Sequence, residues 1–184
     1  MTLRSIGVFC GSSTGGDRAY TQAAWKLGDL LARQGITIVY GGAQIGLMGS
    51  VADAALAAGG QVIGVIPRLL MDKELGHHDL TELRVVDTMA ERKEVIMALS
   101  DAFIALPGGI GTLDELFEVW TATQLGLQSK PCGLLNTLGY FDHLLSFLDR
   151  AVAEGFLRSS HRDLLRLHDQ PDALLEQLRT TAVT

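Results

Sequence analysis

Short apolar segments alternate with longer amphipathic segments along the chain. Most apolar segments are continuous runs rich in Val, Ile and Leu, which is typical of strands covered on both faces. They predict strands at 5–10, 37–40, 61–66, 82–86, 102–106 and 132–135, with a further short strand at 164–168. Helical spacing predicts helices at 17–34, 47–58, 89–99, 112–125, 140–154 and 171–179. This alternation predicts an α/β fold with a doubly wound parallel sheet, helices on both faces and right-handed crossovers.

Length and composition agree with a single domain spanning residues 1–184. With 47% hydrophobic residues and a formal net charge of −6, the chain is too apolar and too weakly charged for a disordered protein. The acidic balance, without a cluster of Lys or Arg, argues against nucleic-acid binding. No apolar run approaches the roughly 18 residues of a membrane span, and no signal-peptide pattern is found. We therefore expect a cytoplasmic protein without nucleic-acid or membrane partners, in which Cys10 and Cys132 are reduced and buried.

Glycine is concentrated in three parts of the chain. Ten of the 21 glycines lie at 11–16, 41–49 and 108–111, and each stretch follows a predicted strand. The carboxyl ends of parallel strands share one edge of the sheet, where ligands bind in this class of fold. The stretch at 108–111 also opens a predicted helix, whose N–H groups attract an anion and whose Thr112 hydroxyl is suited to cap it. A phosphate-bearing ligand is therefore expected at this edge.

The common nucleotide-binding motifs are absent. Residues 11–16 do not spell GxGxxG, no acidic residue ends the strand at 37–40, and residues 41–46 are not followed by the Lys-Ser/Thr of a Walker loop. NAD binding and ATP hydrolysis are therefore disfavoured. The five histidines show no metal-ligand spacing, and His77 and His78 are expected in a surface loop.

The segment 67–80 is long and polar for a plain connection between two strands. It is either a lid or substrate loop, or a solvated crossover, and the sequence leaves both interpretations open.

Charged residues lie beside the glycine-rich edge. Arg92 falls on the inward stripe of the helix at 89–99, where an unpaired charge is costly, so it contacts either an anion or a neighbouring acid. Asp114, Glu115 and Glu118 lie in the first two turns after the glycine loop, where the helix dipole favours acids. Because a carboxylate repels a phosphate, at least one acid is expected to address another part of the ligand. Ribose hydroxyls or a developing positive charge are the obvious candidates.

Residues 107–115, PGGIGTLDE, resemble the PGGxGTxxE motif of the Lonely Guy (LOG) family. These proteins are cytokinin riboside 5′-monophosphate phosphoribohydrolases, often mislabelled lysine decarboxylases. The resemblance extends over nearly the whole chain, with similar segments at 8–13, 39–42, 45–49, 62–67, 89–93 and 124–126. It implies a Rossmann-like fold, a homodimer, and hydrolysis of the N-glycosidic bond of a nucleoside 5′-monophosphate to free base and ribose 5-phosphate. Val119 and Ala122, expected to face outward near Glu115, fit a dimer formed through that helix.

The resemblance also implies roles for individual residues. Arg92 and Glu115 are similar to the catalytic pair of the family, with Glu115 near C1′ of the ribose and Arg92 holding the nucleotide. The candidate substrate-binding residues are Gly11, Ser12, Ser13, Gly46, Met48, Glu74, Lys93, Gly109, Ile110, Gly111 and Thr112. No metal and no cofactor is implied. Ala43, Ile110 and Asp114 depart from the commoner family pattern, so the choice between AMP and N6-prenyl-AMP stays open.

Two other functions fit parts of the sequence. A non-catalytic carrier of a nucleotide or of molybdenum cofactor needs the glycine loops but not Arg92 together with Glu115, whose joint presence favours the enzyme. A decarboxylase would bind pyridoxal phosphate through a lysine and be yellow, but none of the four lysines stands out for that role.

Overall fold

The computed structural model describes residues 2–71 and 76–180. Its strands are β1 Ser5–Phe9, β2 Thr37–Tyr40, β3 Val62–Pro67, β4 Glu82–Val86, β5 Ala102–Ala105, β6 Cys132–Leu135 and β7 Leu165–His168. They form one sheet in the order β4-β3-β2-β1-β5-β6-β7, and every neighbouring pair is parallel. The predicted α/β fold with a parallel, Rossmann-like sheet is confirmed, and each predicted strand lies within one residue of its predicted ends.

Helices cover both faces of this sheet. They are α1 Arg18–Arg33, α2 Gly46–Ala57, α3 Arg68–Met71, α4 Met89–Leu99, α5 Ile110–Gln124, α6 Asp142–Ala153, α7 Ser159–Arg162 and α8 Pro171–Thr180, with a 3-10 turn at Thr137–Gly139. The sequence did not predict α3, α7 or the 3-10 turn, because such short elements show no periodicity. Within the described ranges, no helix combines the length and apolar character needed to cross a membrane.

The two faces of the sheet bury separate apolar cores. Helices α1, α2 and α8 cover one face, and α4, α5 and α6 cover the other. Along β1, Ile6 and Val8 enter the first core, while Phe9 enters the second and stacks on Phe103 with ring centroids 5.8 Å apart. The inner strands are covered on both faces and their apolar residues are continuous, as the sequence pattern indicates, whereas the edge strands β4 and β7 are only partly buried.

The chain changes direction across the sheet at β1, and this topology creates the crevice. Strands β2, β3 and β4 extend from one side of β1, and the chain then returns to place β5 on the other side. The loops after β2, β1 and β5 therefore meet at one edge, with α1 and α5 leaving it toward opposite faces. The prediction that the three glycine stretches share one edge is confirmed, and this edge is the switch point at which such sheets bind ligands.

Part of the segment between β3 and β4 is held against the protein by buried contacts. Gly76 forms an isolated antiparallel bridge with Ala43, which holds this segment against the loop after β2. His77 is 1% exposed, its Nε2 lies 2.8 Å from Asp53 Oδ1, and its backbone N–H donates to the Gly42 carbonyl at 3.0 Å. The expectation that His77 lies at the surface is wrong, because Asp53 on α2 supplies the partner that lets it be buried. Residues 72–75, and with them the predicted Glu74, lie outside the described residues.

Candidate active site

The loops after β1, β2 and β5 are joined by backbone hydrogen bonds at the crevice. The Gly11 N–H donates to the Pro107 carbonyl at 3.1 Å, and the Leu47 N–H donates to the Gly11 carbonyl at 3.0 Å. A Cβ at Gly11 would lie 3.3 Å from the Gly108 Cα, so the first and last loops touch through backbone alone. The three loops therefore form one continuous rim.

The N-terminus of α5 is open to solvent. The helix begins at Ile110, two residues before the predicted start, and its N-cap residue Gly109 provides no side-chain cap. Thr112 lies in the first turn and is buried, so the prediction that it caps the helix is wrong. Nothing lies within 4 Å of a Cβ built at Gly109 or Gly111. Uncapped N–H groups, the positive end of the helix dipole and free space together are suited to an anion.

A cavity of about 240 Å³ lies beside this helix terminus, and we call it the active-site cavity. It is lined by Cys10, Gly11, Ser12, Met48, Met89, Arg92, Gly109, Ile110, Gly111, Thr112, Asp114 and Glu115. Most of the predicted site residues are therefore brought together. Cys10 and Met89 were not predicted as site residues, since an apolar residue at the end of a strand or start of a helix gives no chemical signal in the sequence.

Arg92 is buried at the wall of this cavity, as the helical stripe predicts. Its Nη2 donates to the Gly41 carbonyl at 3.1 Å, and its Nη1 lies 3.7 Å from the Met89 sulfur. Its Nε–H is also buried and has no hydrogen-bond partner among the described residues. Since buried donors are nearly always paired, this Nε–H at the cavity wall is a donor that a bound ligand could satisfy.

The N-terminal cap of α4 fixes the position of Arg92 at the cavity. Thr88 is the N-cap of α4, and its side chain accepts from the Glu91 N–H at 3.1 Å. The Glu91 carboxylate in turn accepts from the Asp87 N–H at 2.9 Å. These contacts resemble a capping box and set the first turn of α4. Arg92 follows directly and points at Gly41, where a Cβ would collide with the guanidinium.

Glu115 approaches the same cavity from α5. It is half-buried, and it has an interaction within the chain. Cys10 lies on the cavity wall, where the charges of Glu115 and Arg92 both affect the pKa of its thiol. Burial raises the pKa of the Cys10 thiol most strongly, the Glu115 carboxylate raises it further, and the Arg92 guanidinium lowers it. Cys10 is therefore a neutral thiol at physiological pH, and a cation and a carboxylate act on it together.

Lys93 is directed away from this cavity. Its ammonium lies 2.6 Å from Glu118 Oε2 and 3.1 Å from Asp114 Oδ2, and the hydrogen bond to Glu118 is the main cause of its raised pKa. Lys93 is not among the residues that line the active-site cavity. Its role as a substrate contact stays a prediction.

The remaining predicted residues lie in the adjoining loops. Met48 lines the active-site cavity, and Ser13 lines a second cavity of about 290 Å³ that shares Gly11, Ser12 and Gly109 with the first. Two tyrosines form its aromatic wall, so we call it the tyrosine cavity. Its other lining residues are Thr14, Gly15, Tyr20, Leu47, Pro107, Gly108 and Tyr140. Gly46 packs beneath these loops, where a Cβ would collide with the Ser12 backbone.

Among residues 2–71 and 76–180, no group of three His, Cys, Asp or Glu side chains is placed to hold a metal ion. Lys26 is exposed on α1, and Lys130 donates to the Met97 carbonyl at 2.6 Å. No lysine of the described part of the chain lines either cavity.

Known proteins resemble this chain over most of its length. A family model described as possible lysine decarboxylase matches residues 48–178. The chain is 50% identical over 176 residues to a probable cytokinin riboside 5′-monophosphate phosphoribohydrolase of Oryza sativa subsp. japonica, covering 96% of this chain and 78% of that protein. It is 49% identical over 162 residues to a cytokinin riboside 5′-monophosphate phosphoribohydrolase of Rhodococcoides fascians, covering 88% and 82% of the two chains.

Solved structures share the fold. The molybdenum cofactor carrier protein of Chlamydomonas reinhardtii superposes with a TM-score of 0.73 at 22% identity, over 98% of this chain and 100% of that chain. The molybdenum cofactor binding protein of Rippkaea orientalis superposes with a TM-score of 0.71 at 25% identity, over 98% of both chains. At such identities the likeness is one of fold.

Proposed function

The chain belongs to the Lonely Guy (LOG) family of cytokinin riboside 5′-monophosphate phosphoribohydrolases, and from this premise we propose that it hydrolyses nucleoside 5′-monophosphates such as AMP or N6-prenyl-AMP. The reaction cleaves the N-glycosidic bond and gives the free base and ribose 5-phosphate. The observation that most supports this proposal is the meeting of an open helix N-terminus, a buried arginine and a carboxylate around one cavity.

The 5′-phosphate binds at the N-terminus of α5 in this proposal. The N–H groups at Gly109 and Gly111 lie where no side chain intrudes, and the helix dipole adds favourable electrostatics. Nucleosides lack the phosphate, so they lose this anchor. The enzyme is therefore expected to distinguish monophosphates from nucleosides.

Glu115 acts on the ribose in this arrangement. Cleavage of the bond between C1′ and the base nitrogen places positive charge on the ribose, and a nearby carboxylate stabilises that charge. Glu115 also takes a proton from the attacking water while the water oxygen forms its bond to C1′. The electron pair of the broken bond leaves with the base. The base receives the proton that Glu115 took from the water, which regenerates the carboxylate, so that atoms and charges balance.

Arg92 stabilises negative charge on the nucleotide. Its buried guanidinium keeps one free N–H for the ligand while its bond to the Gly41 carbonyl fixes its position. A fixed donor that is desolvated contributes more than a mobile one in water, because no reorganisation is needed during the reaction. Met89 and Ile110 are both exposed at the cavity and offer apolar contact to the base.

The test is to incubate the protein with AMP, N6-prenyl-AMP and the two matching nucleosides, and to follow base release by chromatography. We expect release from the monophosphates and none from the nucleosides. Replacing Glu115 by glutamine keeps the shape but removes the charge, and should lower kcat by about 10²–10³-fold.

The matched control is Glu118→Gln, which makes the same chemical change one turn along α5. Glu118 pairs with Lys93 and does not line the active-site cavity, so its removal should change kcat little. Absence of base release from every monophosphate would contradict the proposed function and favour a carrier. Full activity of the Glu115→Gln variant would remove only the proposed role of that residue.

We also propose that two copies of the chain associate through α4 and α5. A surface groove of about 510 Å³ lies there, and Leu125 and Leu127 at its border are 63% and 77% exposed. Exposed apolar surface of this kind marks association sites. Val119 takes no part in it, since it is buried against the sheet, and the expectation that it faces outward is wrong. Light scattering should give twice the chain mass of 19.7 kDa, and Leu127→Asp should lower it.

A further inference from the structure

We infer that Tyr140 is a positioning residue that orients the Gly108–Gly109 peptide so that its N–H faces the phosphate of the substrate. This inference rests on the proposed function, because it assigns the role through the phosphate site. Tyr140 lies between β6 and α6, 32 residues from the glycine loop in sequence, and its hydroxyl donates to the Gly108 carbonyl at 2.6 Å. It does not line the active-site cavity, but it forms a wall of the tyrosine cavity on the neighbouring side.

The planarity of the peptide bond links the two sides of the loop. In a trans peptide the carbonyl and the following N–H point in opposite directions. The Gly108 carbonyl points at Tyr140, so the Gly109 N–H points away from the tyrosine hydroxyl. This N–H has no acceptor among the described residues, which leaves it free for an anion at the start of α5.

A hydrogen bond is needed to fix the orientation of this peptide, because the peptide joins two glycines. Without a Cβ on either side, the plane of this peptide rotates with little steric resistance. A rotated peptide would present the Gly108 carbonyl oxygen to the phosphate, and the two would repel each other. The Tyr140 hydrogen bond opposes that rotation without placing any side chain in the phosphate site.

Tyr140 is itself held in place by its neighbours. The Asn136 side-chain oxygen accepts from the Phe141 N–H at 2.8 Å, and the Asn136 amide donates to Asp142 at 2.7 Å. The Tyr140 ring meets the Phe141 ring edge-on at 5.1 Å and the Tyr20 ring at 5.8 Å. Removing only the hydroxyl therefore leaves the ring packed.

The experiment compares Tyr140→Phe with wild type. We expect KM for AMP to rise about three- to tenfold, the effect of one lost hydrogen bond, with kcat within about twofold. Inhibition by inorganic phosphate should weaken by the same factor, and inhibition by adenine, which has no phosphate, should not change. Tyr20→Phe is the matched control, since Tyr20 lines the same cavity and makes no hydrogen bond to the loop, and its KM should equal that of wild type.

Asn136→Ala provides a second, independent change. It frees the Phe141 N–H and loosens the segment that holds Tyr140, so KM for AMP should rise in the same direction by a smaller factor.

Unchanged KM and unchanged phosphate inhibition in Tyr140→Phe would overturn the inference while leaving the proposed function intact. Equal weakening of phosphate and adenine inhibition would also overturn it, because that is the signature of general disruption. A wild-type protein that releases no base from any monophosphate would refute the proposed function and this inference together.

Discussion

Two glycine loops at the same sheet edge use the absence of a Cβ in opposite ways. In the loop after β5, Gly109 and Gly111 face open space, and their missing side chains leave room for a ligand. In the loop after β2, Gly41 and Gly46 face other parts of the protein, and their missing side chains leave room for the Arg92 guanidinium and the Ser12 backbone. The first loop is exposed and the second is mostly buried. A glycine cluster therefore indicates close approach, but the partner that approaches is either a ligand or the protein itself.

The largest effect is expected from Gly41→Ala. Its Cβ would collide with Arg92 Nη2, so the guanidinium must shift from the position in which it donates to the Gly41 carbonyl. If Arg92 acts as proposed, kcat for AMP should fall about 100-fold or more, since a displaced donor no longer stabilises the transition state. Steady-state kinetics would measure this, with a melting curve to confirm that the variant is folded. Wild-type kcat in this variant would show that the guanidinium relocates without cost and that the packing role is overstated.

A loss of stability rather than of chemistry is expected from Gly46→Ala. Gly46 has φ of +60°, and a Cβ there would collide with the backbone of Ser12. Left-handed backbone costs roughly 1–2 kcal/mol for alanine, and overpacking against a fixed backbone adds about 1–3 kcal/mol. Urea unfolding should therefore show a loss of about 2–5 kcal/mol. A midpoint equal to that of wild type would contradict the assignment of this glycine to internal packing.

The smallest effect, and the most diagnostic, is expected from Gly111→Ala. The site is open and helical, so alanine should stabilise the protein by up to about 1 kcal/mol. The same methyl group enters the phosphate site, so KM for AMP should rise about three- to tenfold. Gly16→Ala is the control, because Gly16 also faces open space but lines neither cavity, and its KM should not change. Lower stability with unchanged KM in the Gly111 variant would contradict the claim that the loop after β5 leaves room for a ligand and not for the protein.

Local patterns predicted most of the fold. Short apolar segments located the strands of the described residues to within one residue of their ends. The inner strands are continuous apolar runs because both of their faces are buried, and the edge strands β4 and β7 mix apolar and polar residues. Helix starts were less certain. The start of α5 was predicted at Thr112 because a hydroxyl is a common cap, but Gly109 takes the cap position and leaves the helix end free for a ligand.

The candidate site was predicted in outline from motif and spacing. The inward helical stripe singled out Arg92, the family resemblance paired it with Glu115, and the structure brings both to one cavity. The neighbouring Lys93 could not be placed in the same way. Its direction depends on Asp114 and Glu118, which lie more than 20 residues away on another helix. Residue spacing within one helix does not predict ion pairs with acids on another helix.

The sequence alone determined the α/β alternation, the clustering of glycine after the strands, and the family to which the chain belongs. The first two are local properties, since each depends on residue types within a few positions, and the family is indicated by short motifs distributed along the chain. Only the tertiary structure decided which glycines face open space, that His77 is buried against Asp53, and that Tyr140 meets the Gly108 carbonyl. The physical reason is that each of these contacts joins residues 24 or more positions apart. They exist only after the parallel crossovers have brought separate loops to one edge of the sheet.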